Sequence, residues 1–97
     1  MGLFDFLNGI NLKIKEAKSL YNRGLYREAS NALDFSEIQK MTISKEQFLE
    51  VMYISAMCHF ELGEYEVTRV CLDQIINYPD FNHNYISKAE ALMKQLP

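Results

Sequence analysis

Apolar residues recur along most of the chain at spacings of three and four, the spacing that places them on one face of an α-helix. Only four glycines and two prolines interrupt this pattern, which leaves few turns and favours long helices over a many-stranded sheet. The predicted fold class is therefore all-α. The pattern predicts helices over residues 11–22, 25–41, 45–62, 64–77 and 84–95.

Each predicted helix has an apolar stripe that is expected to face inward. In the first helix the stripe is Leu12, Ala17 and Leu20, and in the second it is Ala29, Leu33 and Ile38. The apolar positions of the last helix are Ile86, Ala89, Leu92, Met93 and Leu96. Polar and charged residues occupy most of the remaining positions, as expected for helices with one solvated face.

Three signals mark where the helices begin and end. Gly24 and Gly63 each follow a helical stretch, and glycine readily adopts the left-handed conformation that ends many helices. Ser44 and Gln47 match a capping box, in which each side chain bonds to the backbone of the other residue. Pro79 prevents the fourth helix from continuing far. These signals divide a single domain, residues 1–97, into an apolar segment 1–9, helix pairs 10–41 and 44–79, and a capping helix 83–96.

The two glycines also align two similar halves of the chain, 39 residues apart. The matched pairs are Ala17 with Ala56, Tyr26 with Tyr65, Ala29 with Thr68, and Leu33 with Leu72. Small residues suit places where two antiparallel helices approach closely, and the aromatic residue suits the angle between them. Self-similarity at this spacing is typical of helical solenoids.

The segments GLYREA, residues 24–29, and GEYEVT, residues 63–68, resemble the turn motif of the tetratricopeptide repeat (TPR), which commonly reads Gly, any residue, Tyr, two residues, Ala. Ala17, Ala56 and Pro79 also stand where that family places a small residue and a closing proline. The resemblance covers residues 11–80. It implies antiparallel helix-turn-helix pairs, stacked as a short TPR-like solenoid with a C-terminal capping helix.

The chain departs from the TPR pattern in length and at several positions. TPR units repeat every 34 residues, so about five extra residues lie between Ser36 and Ser44. His59 replaces a bulky apolar residue and Thr68 replaces an alanine. Lys13 and Met52 stand where an aromatic residue is usual, and the first unit has no closing proline. Two units are also fewer than the three that usually bury a continuous core, so the terminal segments or a homodimer are expected to supply the missing cover.

In TPR proteins the inner face of each first helix lines a concave groove that holds peptides. Carried over by position, the resemblance assigns this lining to Ile14, Lys18, Tyr21, Glu50, Tyr53, Met57, Phe60 and Glu61. Tyr53, Met57 and Phe60 share one helix face, and such residues are enriched at protein interfaces. A core helix would show the same stripe, so the sequence leaves two interpretations open, groove or core.

Composition narrows the classes of function. The net charge of −3 comes without the clustered Lys and Arg that nucleic-acid binding needs. No apolar run approaches the roughly 20 residues of a membrane span, and no signal peptide is evident, so the expected compartment is the cytoplasm. Cys58 and Cys71 fall inside helices and are expected to be buried thiols. No sequence motif indicates catalysis, a cofactor or a metal, and no enzyme is predicted.

The remaining polar residues have structural interpretations. His59 is expected to pack between helices, and His83 to cap a helix or lie at the surface. The acidic and basic residues around the two turns are expected to form a solvated rim; they are Glu61, Glu64, Glu66, Arg23 and Arg27.

Three hypotheses for function follow. The first is a small adaptor that binds a peptide or helix of another protein on the inner helical face. The second is an inhibitor or immunity-type protein that blocks one toxin or enzyme through the acidic rim. The third is a membrane-peripheral protein anchored by the apolar residues 3–7, although this segment is shorter and less basic than most membrane-binding helices.

Overall fold

The computed structural model describes residues 3–79 and 83–97, and gives side chains from residue 9 onward in these ranges. All regular structure in the described part of the chain is helical, which confirms the all-α prediction. The helices are α1 (Leu3–Asn22), α2 (Tyr26–Ala32), α3 (Phe35–Ile38), α4 (Lys45–Glu61), α5 (Tyr65–Ile76) and α6 (Tyr85–Met93). None of the described helices combines the length and the apolar character that crossing a bilayer requires.

Helix α4 is the centre of the packing and contacts α1, α2, α5 and α6. It can do so because it is apolar on two faces rather than one. Val51, Ile54 and Cys58 belong to a core shared with α1 and α2. Three further residues of α4 join α5 and α6 in a second core; they are Leu49, Met52 and Ala56. Helix α4 therefore contributes buried residues to both cores and joins them.

The small residues that the internal repeat matches are buried between the helices. Ala17, Ala29, Ala56 and Thr68 are all fully buried, and they are the small positions predicted from the internal repeat. A larger side chain at any of them would have to displace a neighbouring helix. Thr68 keeps its hydroxyl satisfied in this setting, because Oγ1 donates a hydrogen bond of 2.9 Å to the carbonyl of Glu64.

The first helix differs from its prediction in both length and phase. It begins at Leu3 rather than near residue 11, so it includes part of the apolar segment assigned to residues 1–9. Ile10, Ile14 and Ala17 form its buried stripe, whereas Leu12 is 66% exposed, so the inward position predicted for Leu12 is wrong. Ile14 belongs to the core and not to the predicted groove, since its buried neighbours set the rotation of α1. The side chains of residues 3–7, proposed as a cap or a membrane anchor, lie outside the described residues.

The predicted second helix is divided into α2 and α3. The division occurs at Asp34, whose carboxylate accepts hydrogen bonds from the backbone N–H of Ser36 at 3.0 Å and from its hydroxyl at 2.8 Å. An aspartate that bonds to the backbone two residues later offers the chain an alternative to helical bonding. These hydrogen bonds also hold the pKa of Asp34 below its ordinary value. Asp34 thereby ends α2 and caps the short helix α3.

The other boundary signals are confirmed. Gly24 and Gly63 have φ angles of 79° and 76°, in the left-handed region. Ser44 Oγ accepts a hydrogen bond from the Gln47 N–H at 3.1 Å, and the Ser44 N–H donates to Gln47 Oε1 at 2.8 Å, which completes the capping box at the start of α4. Cys58 and Cys71 are buried free thiols, as predicted.

Candidate functional site

Besides Ile14, seven residues are assigned to the groove by the sequence, and five of them line one open cavity of about 260 Å³. Lys18 and Tyr21 reach it from α1, and Glu50, Tyr53 and Met57 reach it from α4. Helices α1 and α4 present these residues together because the two helices pack directly against each other. Residues more than 25 positions apart in sequence thus share one concave surface.

The other two predicted residues do not line this cavity. Phe60 packs against the second core and its ring lies 5.8 Å from the ring of Tyr65. Glu61 is exposed at the last position of α4. The predicted stripe is consequently divided. Tyr53 and Met57 are half-buried and face both core and cavity, whereas Phe60 faces the core without lining the cavity.

Helix α6 contributes two residues that the sequence analysis did not select, Tyr85 and Lys88. The ammonium of Lys88 lies 5.2 Å from the ring centroid of Tyr85 and 5.9 Å from that of Tyr53, distances at which a cation is attracted to an aromatic face. Asn22 and Ile54 complete the lining. The sequence signal that could have identified these two residues is their spacing, which places both on one face of α6.

The two lysines of the cavity have different electrostatic surroundings. Lys18 forms an ion pair with Glu50. Lys88 has aromatic neighbours instead, and no carboxylate in the described part of the chain lies within ion-pair distance of it. An ammonium that rests on two aromatic rings keeps its full positive charge available to a ligand. The cavity therefore offers one cation that no carboxylate of the described residues neutralises.

Two tyrosines that line the same cavity, Tyr21 and Tyr85, add hydroxyl groups to it. Burial raises the pKa of Tyr21, and the nearby charge of Glu61 adds to the effect. Burial likewise raises the pKa of Tyr85, with a further contribution from Glu50. Both phenols are neutral at physiological pH and can donate a hydrogen bond. The surface thus combines an apolar floor, neutral hydroxyl donors and a positive charge at one side.

A second polar cluster joins the two halves of the chain, and it includes two residues of the predicted rim, Arg27 and Glu64, which pair with each other at the surface. A guanidinium nitrogen of Arg27 donates to Glu64 Oε2 at 2.6 Å, and His59 Nδ1 lies 2.7 Å from Glu64 Oε1. The other ring nitrogen of His59 lies 3.3 Å from Ser30 Oγ. His59 thus bridges α2 and the turn before α5.

The side chains of Ser30, His59 and Glu64 are linked in the same order as the serine, histidine and acid of a catalytic triad. Their surroundings differ from those of such a site. Ser30 lies inside helix α2, and the nearby N–H groups of Ala29 and Leu33 already donate to backbone carbonyls within the chain. Acyl transfer needs backbone or side-chain donors that are free to stabilise an oxyanion. The arrangement supports a structural role, in which the histidine and glutamate fix the contact between α2 and α5.

His83 differs from its predicted surface or capping role. Its ring lies 6.1 Å from the ring of Tyr78 in an edge-to-face arrangement. Both of its ring nitrogens are shielded from solvent, and neither has a hydrogen-bond partner among the described residues. Asn84, not His83, precedes the first residue of α6.

The resemblance to TPR proteins is carried by features of this chain alone, which are the turn motifs, the small residues and the order of the helices. No protein-family model, curated protein or solved structure gives a significant match to the sequence or the fold.

Proposed function

We propose that this protein is a non-catalytic protein–protein interaction module, a small adaptor that binds a peptide or helix of a partner protein. The binding surface is the groove formed by α1, α4 and α6. The observation that carries the proposal is that Lys18, Tyr21, Glu50, Tyr53 and Met57, selected from sequence as a groove, line one open cavity. Its aromatic and methionine lining is typical of protein interfaces.

The proposal includes a TPR-like arrangement, in which α1 with α2 and α4 with α5 form antiparallel pairs and α6 caps the stack. Three features support it. Both turns use a glycine in the left-handed conformation, the matched small residues are fully buried, and α1 packs on α2 as α4 packs on α5. In this arrangement the groove is the inner face of the stack.

The chemistry of the groove indicates the kind of partner segment. Lys88 is a cation without a carboxylate partner among the described residues, beside the apolar surface of Met57 and Ile54. A complementary segment carries an acidic residue next to an apolar one, so that the carboxylate faces Lys88 while the apolar side chain covers Met57. Charge-assisted hydrogen bonds from Lys88 and the tyrosine hydroxyls would orient the carboxylate.

The first test compares the full-length wild-type protein with Lys88→Gln and Tyr53→Leu variants. Partners are captured from the native lysate and identified, and their dissociation constants are then measured with purified protein. We expect Lys88→Gln to weaken binding about tenfold, since a charge-assisted hydrogen bond contributes about 1.5–3 kcal/mol. Tyr53→Leu keeps apolar bulk while removing the hydroxyl and the aromatic face.

Matched controls separate binding from folding. Lys15→Gln removes an exposed lysine of α1 that does not line the groove, and Tyr65→Leu removes a tyrosine exposed on α5. Both should bind like wild type. Circular dichroism must show equal helicity for all four variants. Equal affinities for Lys88→Gln, Tyr53→Leu and wild type would reject the groove as the binding surface.

The inhibitor hypothesis has less support from the geometry, because Glu64 of the acidic rim is already paired with Arg27 and His59. A partner that used Glu64 would first have to break these contacts. We propose the cytoplasm as the compartment of this protein. Its two buried cysteines are free thiols, and reduced cysteines persist in reducing compartments.

A further inference from the structure

The lining of the groove between α1, α4 and α6 contains both signs of charge. Its charged residues are two cations, Lys18 and Lys88, and one anion, Glu50. Together they give the lining a net charge of one positive unit, in a chain whose net charge is −3. The groove is therefore a locally positive surface on an acidic protein, and its positive charge is small.

Glu50 limits how much of this positive charge a ligand can use. Its carboxylate forms an ion pair with the ammonium of Lys18. Only 27% of the Glu50 side chain is exposed, against 55% of the Lys18 side chain, so the carboxylate is the more enclosed member of the pair. A ligand anion would have to displace Glu50 before it could use Lys18 fully, whereas Lys88 has no carboxylate partner among the described residues.

The three charges are close enough to act on one ligand. The ammonium of Lys88 lies 5.2 Å from the ring centroid of Tyr85. Burial raises the pKa of Tyr85, the charge of Glu50 raises it further, and the charge of Lys18 opposes this effect. Tyr85 is thus within electrostatic range of both members of the ion pair. An anion bound at Lys88 consequently experiences the charge of Glu50.

We propose that Glu50 is a specificity-determining residue, which matches the groove to a partner segment with a single carboxylate and disfavours a phosphorylated segment. This role rests on the proposed function, because it requires the groove to be the binding surface. Glu50 would act by repulsion, a common way to exclude a competing ligand.

The charge of the ligand explains the selection. A phosphate ester carries a charge of about −1.5 to −2 at neutral pH. Lys88 can match one unit of this charge, and the remainder would lie near Glu50 without a cation to balance it, which costs desolvation and repulsion. Glu61, which acts electrostatically on Tyr21 from outside the lining, adds to the repulsion. A carboxylate carries one charge, and Lys88 matches it.

The test uses three end-blocked peptides that differ at one position. Each has a leucine beside the variable residue, which is glutamate, phosphoserine or glutamine. NMR titration of the full-length protein with each peptide measures dissociation constants into the millimolar range. We expect wild type to bind the glutamate peptide about threefold more tightly than the phosphoserine peptide, because repulsion between partly exposed charges is modest, and to bind the glutamine peptide most weakly.

Glu50→Gln is expected to reverse the preference between the two anionic peptides. It releases Lys18, so that the phosphate can bind both ammonium groups, and the affinity for the phosphoserine peptide should rise about tenfold. The affinity for the glutamate peptide should rise by less, since Lys88 already matches one carboxylate. Glu46→Gln is the matched control. It removes the same charge from an exposed position of α4 outside the groove, and should leave both affinities unchanged.

Lys18→Gln provides a second variant with the opposite expected effect. It leaves Glu50 unpaired in the groove, so it should weaken binding of the phosphoserine peptide more than binding of the glutamate peptide. Circular dichroism must show wild-type helicity for each variant that is compared. If Glu50→Gln lowers helicity, the conclusion is drawn from Lys18→Gln.

Two results would overturn the role of Glu50 and leave the groove as the binding surface. The first is a wild-type protein that prefers the phosphoserine peptide. The second is a variant at Glu50 or Lys18 that changes both affinities by the same factor. In either case the glutamate peptide would still bind more tightly than the glutamine peptide. If it does not, the groove does not recognise a carboxylate, and the proposed partner chemistry fails together with the role of Glu50.

Discussion

Arg27 and Glu64 form an ion pair across 37 residues of sequence, with a guanidinium nitrogen of Arg27 2.6 Å from Glu64 Oε2. Arg27 is in the first turn of α2, and Glu64 immediately precedes α5. His59 binds the other carboxylate oxygen, so one glutamate is shared between both halves of the chain. The contact joins the first turn of α2 to the turn before α5.

Glu64→Gln is expected to reduce the loss of stability in acid. The hydrogen bonds from Arg27 and His59 hold the pKa of Glu64 below its ordinary value of 4.5. Around that pH the unfolded chain binds more protons than the folded protein, so the stabilisation is complete above pH 4.5 and is lost as the pH falls through the folded pKa. Urea midpoints measured from about pH 7 to about pH 3 report this change.

Glu66→Gln is the matched control for this measurement, since it removes an exposed carboxylate two residues away. Its midpoints should follow the wild-type pH dependence. If Glu64→Gln follows the wild type equally closely, the ion pair with Arg27 does not contribute to folding in solution.

Two glycine substitutions are expected to have opposite effects. Gly63→Ala should lower the free energy of unfolding by about 1–2 kcal/mol, because a side chain disfavours the left-handed φ of 76°. A Cβ at Gly63 would meet no atom within 4 Å, so the cost comes from the backbone alone. Gly9→Ala should instead stabilise the protein by about 0.5–1 kcal/mol, since Gly9 lies inside α1.

The structure has room for the methyl group that Gly9→Ala adds. A Cβ at Gly9 would lie 3.6 Å from Met41 Cε, an ordinary contact. Thermal and urea unfolding of both variants provide the measurement. Changes of the same sign at Gly9 and Gly63 would contradict the assigned helix and turn conformations.

Ala56→Leu is expected to destabilise the protein by about 1–3 kcal/mol, because Ala56 is fully buried where α4 meets α5 and α6. Ala91→Leu makes the same chemical change at an exposed position of α6 and should alter stability by less than about 0.5 kcal/mol. Urea unfolding of the two variants measures the difference. Equal effects at both positions would show that Ala56 is not a point of close helix packing.

The two thiols are expected to be unreactive in the folded protein. Burial raises the pKa of Cys58 and of Cys71 to about 11, so at pH 7 only about one thiol in ten thousand is the reactive thiolate. Ellman's reagent should therefore titrate both cysteines in urea and react slowly without it. Single Cys→Ala variants assign each rate, and fast reaction of either thiol in native buffer would contradict its burial.

Short-range signals were sufficient to predict most of the helices. Gly63, Ser44 and Gln47 act within a few residues of the helix ends, so their effect can be recognised without knowing the fold. The break at Asp34 was missed although it is also local. Its carboxylate bonds to Ser36 only two residues away, but an aspartate inside a helical pattern does not by itself indicate where a helix stops.

The candidate groove was predicted only where the chain repeats itself. Lys18 and Tyr53 follow by position from the resemblance to TPR proteins, whereas Lys88 and Tyr85 belong to a helix outside the two repeat units, which the resemblance does not reach. Phe60 has the spacing of the groove stripe, yet it packs on the second core, with its ring beside that of Tyr65 on α5.

The sequence by itself determined that this protein is helical, where four of its helices end, and which small residues are buried. Only the tertiary structure decided that α4 packs on two sides, that Glu64 binds Arg27, and that Lys88 completes the groove. The reason is physical. A helix is stabilised by bonds between residues four apart, which a linear pattern displays, whereas the choice of a neighbouring helix depends on shapes and charges that are distant in sequence.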